Sequence, residues 1–177
     1  MKIFPFFISA ICFFSAPLLA QEDTESSKKS VLTMSIGHAH IGQGVQNGNR
    51  KTLVLPAWGL NYDRLINEKW KIGLHTDIIV EEFEVEIKEN DVDITVSRSR
   101  PFSSALTVSH ELTDFLAASI GIGREFAPEE DFNLIRIGIE PYVELPNNFE
   151  VVGTFSVDFR FEAYNAFNLA LGIAKRF

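Results

Sequence analysis

The sequence predicts an all-β protein, an eight-stranded antiparallel up-and-down transmembrane β-barrel. Three observations point to it. Eight segments of about nine to twelve residues alternate apolar side chains with small or polar ones, the period of a strand with one apolar face. The connections between them are by turns tight and long. Beyond residue 20 no run of about 18 apolar residues occurs, which removes a helical bundle as the way across a membrane.

The chain has 177 residues, 46% of them hydrophobic, and a formal net charge of −8 from 24 acidic and 16 basic residues. That length suits one domain. The acidic balance argues against general nucleic-acid binding, whose affinity comes from Lys and Arg on phosphates. Residues 1–20 read as a secretory signal peptide: Lys2 precedes a Phe- and Ile-rich run, with cleavage expected near Ala20. Cys12, the only cysteine, lies inside it, so the released chain is expected to form no disulfide or thiolate metal site. Residues 21–30 are polar without an apolar period, a flexible lead-in, and residues 31–177 are assigned to the barrel.

The elements follow in order. In 32–40, Leu32, Met34 and Ile36 share a face opposite Thr33, Ser35 and Gly37. In 54–63, Val54, Trp58, Leu60 and Tyr62 oppose Ala57, Gly59, Asn61 and Asp63. Segment 70–81 sets Trp70, Ile72, Leu74 and Ile78 against Lys71, Gly73, His75 and Asp77. The fourth, 102–112, is weaker, with Phe102, Leu106, Val108 and Leu112 on one side. Leu116, Ile120, Ile122 and Phe126 oppose Ser119, Gly121 and Glu125 in 116–126. In 134–145 the apolar row is Ile135, Ile137, Ile139 and Val143, against Arg136, Gly138 and Glu140. Val151, Phe155, Val157 and Phe159 oppose Thr154, Ser156, Asp158 and Arg160 in 151–161. The last, 167–177, sets Phe167, Leu169, Leu171, Ile173 and Phe177 against Asn168, Ala170 and Gly172.

Connections 64–69, 113–115 and 146–150 are tight, whereas 41–52, 82–100 and 127–133 are longer or strongly polar. Loop 82–100 keeps alternating, so a hairpin is expected to extend beyond the membrane and turn near Lys88–Asp91. A soluble lipocalin-like barrel is the rival reading, with the apolar rows turned inward. Against it, the second face is largely Gly, Ala, Ser and Thr with few charges, which suits a narrow interior. Aromatic residues at strand ends (Tyr62, Trp70, Phe102, Phe126, Phe161 and Phe177) fit interfacial girdles.

From residue 31 to its end the chain resembles the small eight-stranded outer-membrane β-barrels of the OmpA and OmpX type. The C-terminus carries the most specific likeness: terminal Phe177 with Ile173 and Leu171 at alternate positions before it. The resemblance implies that this is an assembly signal read by the outer-membrane barrel assembly machinery, by β-augmentation. Lys175 stands where that family usually has an apolar residue, and a lysine there can snorkel to the interface. A Gram-negative outer-membrane location follows from the resemblance, with short turns towards the periplasm and long loops outside.

An eight-stranded barrel has an interior only wide enough for side chains. Lys71, His75, Asp77, Glu125, Arg136, Glu140, Asp158 and Arg160 are therefore expected to form an interior polar network in place of an apolar core. Acids outnumber bases on that face, so some carboxylates are expected to be protonated, hydrated or paired with His75. Arg98, Arg100 and Arg124 are expected to meet at the outer rim and contact lipopolysaccharide phosphates, whose oxygens match the guanidinium fork. His38 and His40 fall two apart on the outward face, a weak metal pair set against contact with lipid head groups. The run Val108–Glu111 offers Ser109, His110 and Glu111, but adjacent strand residues point to opposite faces, so Ser109 and His110 assemble no nucleophile–base pair.

The reading is thus a non-enzymatic barrel without catalytic residues, metal or cofactor. Its partners would be outer-membrane lipids, lipopolysaccharide and the assembly machinery, with a protein partner at the 82–100 hairpin as a further option. A lipid A-modifying enzyme and a soluble lipocalin-like binder are the alternatives.

Overall fold

The computed structural model describes residues 28–89 and 92–177. The segment expected to be a signal peptide, and the expected lead-in up to residue 27, lie outside the described residues. Twelve strands run β1 (Ser30–Ile41), β2 (Gly44–Gln46), β3 (Asn49–Arg50), β4 (Leu53–Leu65), β5 (Trp70–Ile79), β6 (Glu82–Glu89), β7 (Val92–Ser99), β8 (Phe102–Thr113), β9 (Leu116–Phe126), β10 (Phe132–Leu145), β11 (Phe149–Arg160) and β12 (Asn165–Arg176). Eight of them close a barrel in the order β1-β12-β11-β10-β9-β8-β5-β4, and the other four form a sheet in the order β3-β2-β6-β7. Every barrel neighbour is antiparallel. The eight segments legible in the sequence are the eight barrel strands.

Closure fixes which face is which. Ile36 lies opposite Leu171 on β12 and Trp58 on β4, so the apolar rows of adjacent strands fall on one side of the wall. That side is the outside: Met34 is 62% exposed, Ile36 63%, Leu171 63% and Ile122 68%. A lipocalin-like barrel would bury these rows; here a wall of Ile, Leu and Phe faces outward, the polarity of a barrel solvated by lipid. The exposure of these rows weighs against the soluble reading.

The tight connections gather at one end with the two ends of the described residues, where Ser30 and Phe177 exchange backbone bonds of 2.8 and 3.0 Å. Asparagine shapes two of these turns. Asn67 Oδ1 accepts the N–H groups of Lys69 and Trp70 at 2.9 and 3.0 Å. Asn147 and Asn148 adopt φ of 63° and 61°, a left-handed conformation that Asn tolerates better than most residues.

At the opposite end the long loops are structured. β6 and β7 are the expected hairpin, with Phe83 opposite Arg98 and Ile87 opposite Ile94. Its neighbour β2 comes from loop 41–52, where β2 and β3 turn through Asn47 and Gly48 at φ of 54° and 73°. An Asn-Gly pair is the strongest short-range hairpin signal, yet period two alone does not register strands this short. The hairpin does not stand clear of the barrel. Phe83, Val85 and Ile87 pack with Ile41, Leu55, Ile79, Phe132 and Tyr164 in one buried cluster, an apolar cap across the mouth.

Candidate functional site

The lumen is filled from end to end by side chains of the inward rows. Small residues make the room. Gly73 is one such position: a Cβ there would collide with the Asp63 carboxylate. Above it, Asp63 Oδ1 meets His75 Nε2 at 3.0 Å, and His75 Nδ1 faces Glu140 at 3.7 Å. Towards the turn end Lys71 pairs with Glu111 at 3.0 Å and lies over the Tyr142 ring, while Arg176 pairs with Glu150 at 2.8 Å.

Towards the loop end the charges alternate in a ladder. Arg136 binds Asp158 in a fork, Nε to Oδ1 at 2.6 Å and Nη2 to Oδ2 at 2.8 Å, and reaches Asp77 at 2.5 Å. Arg160 stands 3.6 Å from Asp158 and donates to Glu125 at 2.6 Å. Arg98 closes the series on the other oxygen of Glu125 at 2.5 Å, and the Tyr164 phenol lies 2.8 Å from both. Buried carboxylates without partners would be driven to protonate, and forked guanidinium pairs remove that cost. Among the described residues a cavity of about 20 Å³ lies between His75, Asp77, Arg136 and Glu140, room for about one water.

Arg98 departs from expectation. It is 0% exposed, donates also to the Glu130 carbonyl at 2.6 Å and lies over the Phe132 ring. It therefore does not join Arg100 and Arg124 at an outer rim; it hangs from the loop sheet into the barrel. A sequence signal was present, because Arg98 continues the parity of Ile94 and Val96, which pack against the cap. It also supplies a base that the barrel strands lack, which relieves the acid excess counted on the inward rows. Tyr164 sits in the short loop 162–166, where no periodicity marks it, and burial pushes its phenol above the ordinary range.

The remaining candidates lie apart. Arg124 is half exposed and pairs with Asp131 at 3.2 Å, below the stacked rings of Phe102 and Phe126. Arg100 is exposed, at a left-handed φ of 49°. His38 is exposed on the outer wall and His40 stacks edge-on against Phe167. Ser109 is buried in the lumen, whereas His110 packs on Trp70 at 4.4 Å outside, so the two sit on opposite faces of the wall. Ile173 and Phe177 face outward with Leu171, and Lys175 lies 3.9 Å over the Phe149 ring. The β7 edge is latched at its barrel end by Glu129, whose carboxylate accepts the hydroxyl and N–H of Ser99, and that hydrogen bonding lowers the Glu129 pKa.

By sequence the chain matches no protein-family model and no curated protein. By structure it is similar to the outer membrane protein OprG from Pseudomonas aeruginosa, with a TM-score of 0.58 at 10% identity over 85% of this chain and 97% of that one. The N-terminal β-barrel domain of Pseudomonas aeruginosa OprF gives 0.56 at 10% identity, covering 85% and 98%. Ail, the attachment invasion locus protein of Yersinia pestis, gives 0.50 at 13% identity, covering 84% and 99%. What these share with the chain is the fold of a small eight-stranded outer-membrane barrel.

Proposed function

We propose that the protein is an integral outer-membrane β-barrel with a non-enzymatic role, either structural or in surface contact through its loops and outer-leaflet lipids. One observation carries this: an apolar outer wall encloses a lumen that is packed with paired charges and capped at one end. Among the described residues, side chains fill that lumen, which supports a role carried outside it. Any contact function therefore falls to the wall and the loops. In a cell envelope, the protein is expected to sediment with membranes, need detergent for extraction, and migrate differently on gels before and after heating. Recovery in a detergent-free periplasmic fraction would overturn this reading.

The outer-rim contact with lipopolysaccharide phosphates is assigned to Arg100 and Arg124 at the loop end, Arg124 with its guanidinium over the Phe126 ring. Arg98 is withdrawn from that set. The assembly signal is assigned to Phe177, Ile173 and Leu171 on the closing strand, read by the assembly machinery. A protein partner at the 82–100 hairpin would use the free edge of β7. The separation of Ser109 from His110 supports the non-enzymatic reading, and lipid A mass spectra with and without the gene test it. An altered acyl pattern would favour the enzyme.

A further inference from the structure

The turn-end rim carries cations that the barrel does not neutralise. Arg64, on the outward side of β4, is braced by a hydroxyl: its Nη1 donates to Ser30 Oγ at 2.9 Å, and Ser30 Oγ lies 3.1 Å from the Tyr62 hydroxyl. Lys175, two strands away, is held by the Asn147 carbonyl at 2.6 Å and by the Phe149 ring. Both side chains are thus positioned by neutral partners, and among the described residues no carboxylate pairs with either charge. Lys69 follows in the β4–β5 turn, and Lys28, Lys29 and Lys69 line an open concavity of about 1020 Å³ with Trp70, Arg176 and a single carboxylate, Glu68. No ion pair among the described residues involves Arg64, Lys69 or Lys175. The lumen bases Lys71, Arg98, Arg136, Arg160 and Arg176 are, by contrast, each matched to a carboxylate.

We propose that this rim binds the phosphate groups of anionic phospholipids in the membrane leaflet at the turn end. The setting fits a headgroup. Tyr62, Trp70, Phe149 and Phe177 are exposed where the apolar wall ends, the depth at which amphipathic rings meet headgroups. A guanidinium fork at this depth matches the oxygens of a phosphodiester, and ammonium groups beside it add point charges. The patch is one-sided. On β10 and the β8–β9 turn the rim shows Glu144 and Asp114 instead, so an anionic lipid would be held at the β12-β1-β4 quarter and repelled opposite.

This inference rests on the outer-membrane reading, and its test separates the two. The purified barrel is inserted into bilayers of equal parts phosphatidylcholine and phosphatidylglycerol, extracted, and its retained lipid counted by mass spectrometry. Wild type is expected to retain phosphatidylglycerol in preference. Arg64→Gln and Lys69→Gln are each expected to cut that preference about fivefold at low salt, the weight of one cation near an anionic surface. Lys51→Gln, at the other end, where the ammonium donates to Gln46 Oε1, is expected to leave it unchanged. Lys69 lies on an exposed turn, so its variant tests the site even if Arg64→Gln impairs folding. Equal retention of both lipids by wild type, a preference undiminished in the Lys69→Gln protein, or a preference cut as deeply in the Lys51→Gln protein, overturns the proposal. Displacement of the lipid by inorganic phosphate also overturns it, since the site would then hold a free anion. A barrel that fails to enter bilayers at all strikes at the outer-membrane reading.

Discussion

The two ends of the barrel solve the same problem in opposite ways. A closed wall leaves a mouth at each end, and the polar lumen must meet water or be covered there. At the loop end long connections supply their own strands, and Phe83, Val85 and Ile87 are pressed over the opening with Arg98 tied below them to Glu125. At the turn end connections too short to fold leave an open concavity ringed by lysines. The difference teaches that loop length decides more than reach. It decides whether lumen charges are completed from outside the barrel, as Arg98 completes Glu125, or must balance within the wall, as Arg176 and Glu150 do.

The largest effect is expected at the loop end from Glu125→Gln. It leaves Arg98 and Arg160 buried against a neutral amide, and breaking buried pairs typically costs about 3–5 kcal/mol. Urea unfolding in detergent should show the loss, and the loop sheet should become cleavable by protease before the barrel does. If the barrel and the loop sheet melt together, the cap is part of the barrel's own cooperative unit. Next is Gly73→Val in the middle of the lumen, where the added bulk meets Asp63; overpacking of this kind costs about 1–3 kcal/mol. Its unfolding midpoint should fall while the loop sheet keeps its protease resistance. Val85→Asp should come third, placing a charge in the apolar cap; early cleavage of the 82–100 loop with an unchanged barrel midpoint is the expected outcome. The smallest effect concerns the Ser99–Glu129 latch. Because the Glu129 pKa is lowered in the folded protein, its contribution is full above the ordinary carboxylate range and is lost as pH falls through the lowered value. Exchange of the Ser99 amide should speed up over that acidic window, and Glu129→Gln should flatten the profile.

The barrel itself was readable because a strand's side-chain period is local: Met34 and Ile36 announce their face within three residues. The lumen network was readable for the same reason, since parity alone puts His75, Arg136, Asp158 and Arg160 on the inner side. What parity could not show is that a loop returns. Its place in a polar stretch ahead of β8 points Arg98 to the outside, yet its parity row continues inward once β7 lies across the mouth. Tyr164 has no row to belong to and is placed by tertiary contacts, the rings of Phe83 and Phe132 on one side and the Glu125 carboxylate at its hydroxyl. Strands β2 and β3 are too short for any period, and only Asn47–Gly48 announces their turn.

The seam between β1 and β12 joins Val31 to Arg176, nearly the full sequence distance between the described ends. Until β12 is in place, β1 and β11 each keep a bare edge of backbone donors and acceptors, and such an edge invites pairing with other chains. The most distant contact in the sequence is also the one that closes the ladder, and pairings of that range are slow to form. The unfinished barrel therefore spends its waiting time as an open, sticky sheet with an apolar outer face, and its last strand, not its first, sets when that danger ends.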